Sequence, residues 1–177
     1  MSVERAAVFL DRDGTINVDY GYVHQKDKLT FIDGSIEALR IFQKCGYLLI
    51  IVTNQSGVAR GYFSIDELEE FHRYMLEILK ENKVVIDAVY YCPHLEGCNC
   101  RKPKLGLFYQ AQKEFGIDFS KSYVIGDNMR DLSLCEAESV KGILLSDKKF
   151  DEKGLDNILI CRNLLQAAHV IADRYEE

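Results

Sequence analysis

A short apolar run, Ala6-Ala7-Val8-Phe9-Leu10, hands over without a spacer to Asp11-Arg12-Asp13-Gly14-Thr15. Such a run reads as a buried strand, and the turn chemistry of Asp-Gly-Thr falls at its carboxyl end. Two carboxylates, two residues apart, are thereby delivered to the edge of a sheet where open α/β folds bind ligands. Close anions repel unless a cation lies between them, which makes a hard divalent metal the natural occupant.

The rest of the chain repeats the theme of apolar runs followed by helical patterns. Residues 47–52 form a nearly continuous β-type run, suited to a strand buried on both faces, and it ends at Thr53-Asn54. Further strands are expected over 86–91, 122–125, 142–145 and 158–160. Asp33 is placed to cap a helix carrying Ile36, Leu39 and Phe42, with Gly46 as its stop. Ser64-Ile65-Asp66-Glu67 is a capping box ahead of the stripe Leu68, Phe71, Met75, Ile78 and Leu79. Pro103 suits the entry to a helix with Leu107, Phe108, Ala111 and Phe115, ended by Gly116. A last helix is expected over 164–175. This alternation is the βαβ signature and predicts a Rossmann-like parallel sheet flanked by helices. A chain of 177 residues is long enough for one full core and short for two, so a single domain over 1–177 is expected.

The net charge of −6, with no basic tract, argues against nucleic acid as the partner. No run reaches transmembrane length, and residues 1–5 show no charged segment leading into a long apolar one. The expectation is a cytoplasmic protein, monomeric, with a small-molecule partner and no membrane.

The parallel order would bring the ends of the first, second and fourth strands together. There Asp11 can attack phosphorus and become an aspartyl phosphate. Asp13 can protonate the leaving alkoxide and then deprotonate water. The Thr53 hydroxyl can hold a phosphoryl oxygen. Arg101, Lys102 and Lys104 supply the fixed cations that a phosphate site needs. In Gly126-Asp127-Asn128-Met129-Arg130-Asp131, Asp127 can ligate a metal and Asp131 can support it. Taken singly, each group also has an ordinary reading as a turn, cap or solvated residue; their joint placement at strand ends favours chemistry.

Of the six cysteines, Cys45, Cys135 and Cys161 sit in or beside apolar segments and read as small buried hydrophobes. Cys92, His94, Cys98 and Cys100 are clustered. Three thiols and one imidazole complete a tetrahedral zinc site with no open position, which suits a structural role. The loop ends directly at Arg101-Lys102. His24, His72 and His169 have no ligand partners in sequence, and His72 reads as a packing or surface residue of its helix.

Four motifs together, Asp11-x-Asp13-Gly14-Thr15, Thr53, Lys102 and Gly126-Asp127-(x3)-Asp131, resemble those of the haloacid dehalogenase superfamily of phosphatases. Within it the chain is most similar to the branch that holds heptose-bisphosphate and histidinol-phosphate phosphatases. The similarity rests on Phe9-Leu10-Asp11-Arg12-Asp13-Gly14-Thr15-Ile16-Asn17, on the stretch from Thr53 to Gly61, and on Cys100-Arg101-Lys102-Pro103. The resemblance implies Mg²⁺ bound by Asp11, Asp13 and Asp127, with Thr53 and Lys102 positioning the phosphoryl group. It implies substrate contacts from Asp19, Tyr20, Gly21, Tyr22, Asn54, Gln55, Ser56, Arg101 and Asn128. It also implies zinc in the cysteine loop, although only three residues separate His94 from Cys98, where the branch usually carries more. About 40 residues separate Asp13 from Thr53, leaving no room for a large cap domain.

The expected activity is removal of the C7 phosphate from a heptose 1,7-bisphosphate, with histidinol phosphate as the alternative substrate. A non-catalytic metal-and-phosphate receiver is disfavoured by Asp13, which supplies the acid and base that turnover needs. A zinc-loop interaction protein is disfavoured by the complete phosphate site.

Overall fold

The computed structural model describes residues 4–148 and 157–175. Met1 to Val3, part of the segment read for a leader, lie outside the described residues. Six strands form one all-parallel sheet: β1 (Ala7–Leu10), β2 (Leu48–Asn54), β3 (Ala88–Cys92), β4 (Tyr123–Gly126), β5 (Lys141–Leu145) and β6 (Ile158–Cys161), in the order β3-β2-β1-β4-β5-β6. The helices are α1 (Ser35–Lys44), α2 (Ile65–Glu81), α3 (Gly106–Phe115), α4 (Leu134–Ala137) and α5 (Leu164–Tyr175). No helix among the described residues is long and apolar enough to cross a membrane.

A parallel sheet needs crossovers on its faces, so its strands are buried on both sides. Val8, Leu10, Leu49, Ile51, Ile125 and Ile143 pack against Ala38, Leu39 and Phe42 of α1, Met75 and Leu79 of α2, and α5. The alternate residues Phe9, Ile50, Val52, Val124 and Leu144 pack against Leu107, Phe108 and Ala111 of α3 and Leu134 of α4. Phe9 meets the Phe108 ring edge-on, with centroids 5.4 Å apart. Each such buried side chain contributes about 1.5–3 kcal/mol, so the core readily holds the loops that leave the strand ends.

The strand order reverses between β1 and β4, which pair with each other (Phe9 against Val124). A crevice opens at such a switch point, outside the carboxyl ends of the strands. Between Asp13 and Thr53 lie only a loop, a short 3-10 turn (Lys26–Lys28), α1 and the start of β2, so no cap domain is inserted there.

Two helix starts differ from expectation. Gly34, in the left-handed region at φ +79°, precedes α1, and no side chain caps it; Asp33 is therefore not the cap. α3 begins at Gly106, three residues beyond Pro103, because Lys102 and Pro103 belong to the site loop. The Ser64 capping box is present, with both reciprocal bonds made.

Candidate active site

Asp11 directly follows β1, and its N–H donates to the Ile125 carbonyl of β4 at 3.1 Å. The chain then folds back on itself: the N–H groups of Thr15, Ile16 and Asn17 all reach the Arg12 carbonyl. This tight turn needs Gly14 at φ +80°. Asp13 accepts from Asn17 Nδ2 at 2.9 Å and Gln55 Nε2 at 3.0 Å. It also meets the fork of Arg12, whose Nη2 is 2.9 Å from each carboxylate oxygen. Arg12 is fully buried. It lies over the Phe71 ring, 4.8 Å from the centroid.

At the end of β2, Thr53 is buried and its hydroxyl accepts from Gln55 Nε2 at 3.1 Å. Asn54 forms a reciprocal pair with the Lys102 peptide, accepting from its N–H at 2.9 Å and donating to its carbonyl at 3.1 Å. Lys102 is thereby carried beneath the floor of the cleft. Its ammonium donates to Asp11 Oδ1 at 3.0 Å, to the Val52 carbonyl at 2.6 Å and to Asp131 Oδ1 at 2.8 Å. Three donors meet three acceptors, so Lys102 is saturated by protein groups. Burial alone would depress its pKa, but Asp11 and Asp131 hold it above the ordinary lysine value.

Asp127 follows β4. Asp131 is brought back under it by the capping box of the 3-10 turn Met129–Leu132: Asn128 Oδ1 caps the Arg130 N–H, and Asp131 Oδ2 accepts from the Asn128 N–H. Asp11, Asp127 and Asp131 each offer an oxygen within 4.8 Å of the others. Burial, then Asp11 and Asp131, push the Asp127 carboxyl up to about 6. Burial and Asp11 likewise raise Asp131. This cluster of hard oxygen donors fits Mg²⁺, whose charge would relieve the repulsion. The fit is close: a Cβ on Gly14 would meet Asp127 Oδ2 at 2.2 Å. The Asp13 carboxylate is turned to Arg12 and lies outside this cluster, where Asp131 stands beside Asp11 and Asp127.

The cleft measures about 490 Å³. Of the expected substrate contacts, Asp19, Gly21, Tyr22, Asn54, Gln55, Ser56, Arg101 and Asn128 line it together with Asp11, Asp13, Thr53 and Asp127. Tyr20 lines an adjoining groove instead. Asn54 has its amide committed to the Lys102 peptide, which makes it a support of that loop. Lys104 donates to the Cys98 carbonyl and does not line the cleft. Three arginines do: Arg60, Arg101 and Arg130. The sequence reading did not single out Arg130, although it lies inside the quoted Gly126-to-Asp131 motif. Arg60 lies over the Tyr22 ring at 5.9 Å, and Tyr22 meets Tyr62 edge-on at 4.8 Å.

The cysteine loop hangs from the end of β3. Cys92 Sγ is 3.0 Å from Cys100 Sγ and 3.7 Å from Cys98 Sγ; His94 Nδ1 is 3.3 Å from Cys100 Sγ and 3.6 Å from Cys92 Sγ. A zinc tetrahedron with bonds of about 2.3 Å has edges of about 3.8 Å, so the four donors fit zinc with slight expansion. Burial raises the Cys98 thiol, but the N–H groups of Arg101 and Cys100 outweigh it and bring its pKa to about 6. Arg101 Nη1 donates to the His94 carbonyl at 3.2 Å, tying the cleft cation to the loop.

Such a cleft serves phosphoryl chemistry, and the fold around it is that of haloacid dehalogenase-type phosphatases. The chain belongs to that superfamily and, within it, to the family described as polynucleotide kinase 3 phosphatase, whose model matches residues 7–154. A D-glycero-beta-D-manno-heptose-1,7-bisphosphate 7-phosphatase of Haemophilus influenzae is 50% identical over 143 residues, covering 76% of this chain and 78% of its own. The D-glycero-alpha-D-manno-heptose-1,7-bisphosphate 7-phosphatase of Campylobacter jejuni is 48% identical over 126 residues, covering 71% and 73%. Among solved structures, the D,D-heptose 1,7-bisphosphate phosphatase of B. bronchiseptica complexed with magnesium and phosphate superposes with a TM-score of 0.86. It is 28% identical, with 96% of this chain and 99% of that chain covered.

Proposed function

We propose that this phosphatase, as a single domain over 1–177, removes the C7 phosphate of a D-glycero-D-manno-heptose 1,7-bisphosphate in the cytoplasm. The carrying observation is the arginine rim: Arg60, Arg101 and Arg130 face one cleft with the strand-end carboxylates. One phosphate goes to the strand ends, and a second offsets the outer cations through charge-assisted contacts. The names of the relatives support the same substrate. Histidinol phosphate, with a cationic amine and an imidazole, suits such a rim less well.

Asp11 and Asp127 would hold Mg²⁺ with Asp131 beside them, and Asp13 would complete the set. When bound, Mg²⁺ supplies positive charge against the phosphoryl oxygens. Lys102 fixes the Asp11 carboxylate for in-line attack. Asp11 attacks phosphorus, the bond from phosphorus to the C7 oxygen breaks, and that oxygen takes the proton of Asp13. Asp13 then takes a proton from water as the water oxygen attacks the aspartyl phosphate, releasing phosphate and restoring Asp11. Thr53 and the loop residues Asp19, Gly21, Tyr22, Gln55, Ser56 and Asn128 orient the bound ester, with Tyr20 outside them. Zinc in Cys92, His94, Cys98 and Cys100 stiffens the loop that presents Arg101.

Steady-state kinetics on heptose bisphosphate and histidinol phosphate test the substrate. kcat/KM should favour the bisphosphate by at least about tenfold, or roughly 1.4 kcal/mol, and Arg101→Ala should shrink the gap. Equal or reversed preference overturns the substrate and leaves the phosphatase class standing.

A further inference from the structure

We propose that Arg12, oriented by His72 of α2, is a positioning residue that aims the Asp13 carboxylate and couples it to the substrate loop. The inference rests on the acid and base role of Asp13 given above.

Arg12 has no exposed surface, and one guanidinium serves three elements. Its Nε lies 3.1 Å from Asp13 Oδ1, and its Nη2 reaches both Asp13 oxygens at 2.9 Å. The same Nη2 lies 2.5 Å from the Val23 carbonyl, at the end of the loop that carries Asp19, Gly21 and Tyr22 into the cleft. Its Nη1 meets His72 Nε2 at 2.9 Å. A guanidinium has no acceptor, so His72 must present a lone pair and stay neutral. Burial and the Arg12 charge enforce that state by pushing the His72 pKa down to about 3.

The geometry has a functional reading because the fork fixes where Asp13 can point. A bidentate pair defines a plane as well as a distance. Asn17 and Gln55 complete the hold on the same carboxylate, and Gln55 also bonds the Thr53 hydroxyl. The Asp13 proton must reach the C7 oxygen as its bond to phosphorus breaks, so misaiming slows expulsion of an alkoxide. A p-nitrophenolate leaves without a proton, and its expulsion does not need Asp13 to be aimed. His72 lies 60 residues away in sequence and does not line the cleft; its polar contact toward the site is the one with Arg12, and its ring also meets Phe71 and Tyr91.

The test is single-turnover release of the leaving group from heptose 1,7-bisphosphate and from p-nitrophenyl phosphate, which isolates the first chemical step. His72→Leu removes the acceptor and should slow the alkyl phosphate by at least about tenfold while leaving p-nitrophenol release within about twofold of wild type. His72→Gln restores an acceptor oxygen and should recover most of the alkyl rate. Arg12→Lys keeps the buried charge but loses the fork; it should show the same selectivity and also raise KM, because the Val23 loop is released. An equal fall for both phosphates in His72→Leu and Arg12→Lys, or no fall for either, overturns the proposal. Asp13→Asn is the control: if it slows both phosphates alike, the acid role itself fails. Selective loss in Asp13→Asn without selective loss in His72→Leu overturns the positioning role alone.

Discussion

The Lys102 ammonium sits between Asp11 and Asp131, 3.0 Å from an oxygen of one and 2.8 Å from an oxygen of the other. It is the buried cation among three clustered carboxylates, and each of its protons is taken by a protein oxygen. In the proposed phosphoryl transfer it would hold Asp11 still and set the charge of the floor.

Lys102→Met should separate these effects. It leaves Asp11, Asp127 and Asp131 facing one another, a loss of about 3 kcal/mol or more of stability at neutral pH, read by urea denaturation. Turnover should fall at least about 10²-fold. Added Mg²⁺ should recover part of the stability and little of the turnover; full recovery of turnover would show that the lysine acts only as a counter-charge.

Asp11→Asn should keep the fold and lose turnover almost wholly, since an amide oxygen is a poor nucleophile. Acid-quenched wild-type enzyme should carry a labile phosphoryl group that the variant lacks. Substantial turnover by the metal-loaded variant would assign attack to another group.

Much of this site was open to inspection in the primary structure because its parts are local. Asp11, Asp13, Thr53 and Asp127 each follow an apolar run, and strand ends in a parallel sheet converge. The Ser64 box is complete within four residues. Long-range pairings were not accessible in the same way. His72 looked like a helix packing residue because its partner, Arg12, is 60 positions away. The helix start at Gly106 was masked by Pro103, a good first-turn residue that the site loop takes for itself. Asp131 looked like a support for Asp127, and only the 3-10 turn brings its carboxylate level with Asp11.

The stability of the chain should carry the mark of His72. Its pKa is 6.5 in the unfolded reference and about 3 in the fold, so protonation favours unfolding. The contribution is complete above pH 6.5 and falls by about 1.4 kcal/mol per pH unit as pH drops through that value toward 3. Between pH 7 and 5 wild type should lose about 2 kcal/mol more than His72→Gln, measured by urea denaturation at each pH. Parallel curves would refute the buried neutral imidazole.

Gly14→Ala should weaken Mg²⁺ binding. Its Cβ would fall 2.2 Å from Asp127 Oδ2, and its φ of +80° is strained for alanine by about 1–2 kcal/mol. Magnesium titration of activity should show a midpoint raised by about tenfold or more, with the thermal midpoint only modestly lowered. An unchanged titration would place the metal away from Asp127.

Protein purified without chelator should hold about one zinc per chain, and mild chelation should remove Mg²⁺ and activity reversibly while zinc stays. Cys100→Ser should lose zinc and thermal stability together, and raise KM for the bisphosphate through the Arg101 tether. Zinc-free protein with full stability would leave the cysteine loop as a metal-free turn.

The cysteine loop leaves β3, an edge strand whose one sheet neighbour among the described residues is β2. Gly97 at its tip has open space around it, with nothing within 4 Å of an added Cβ. Residues inserted between His94 and Cys98 would therefore extend outward without displacing a ladder bond or a core side chain. The four donors would keep their spacing while the tip grew. The molecule thus carries an arm, joined to Arg101 of the cleft through the His94 carbonyl, that can change length without disturbing the sheet or the core.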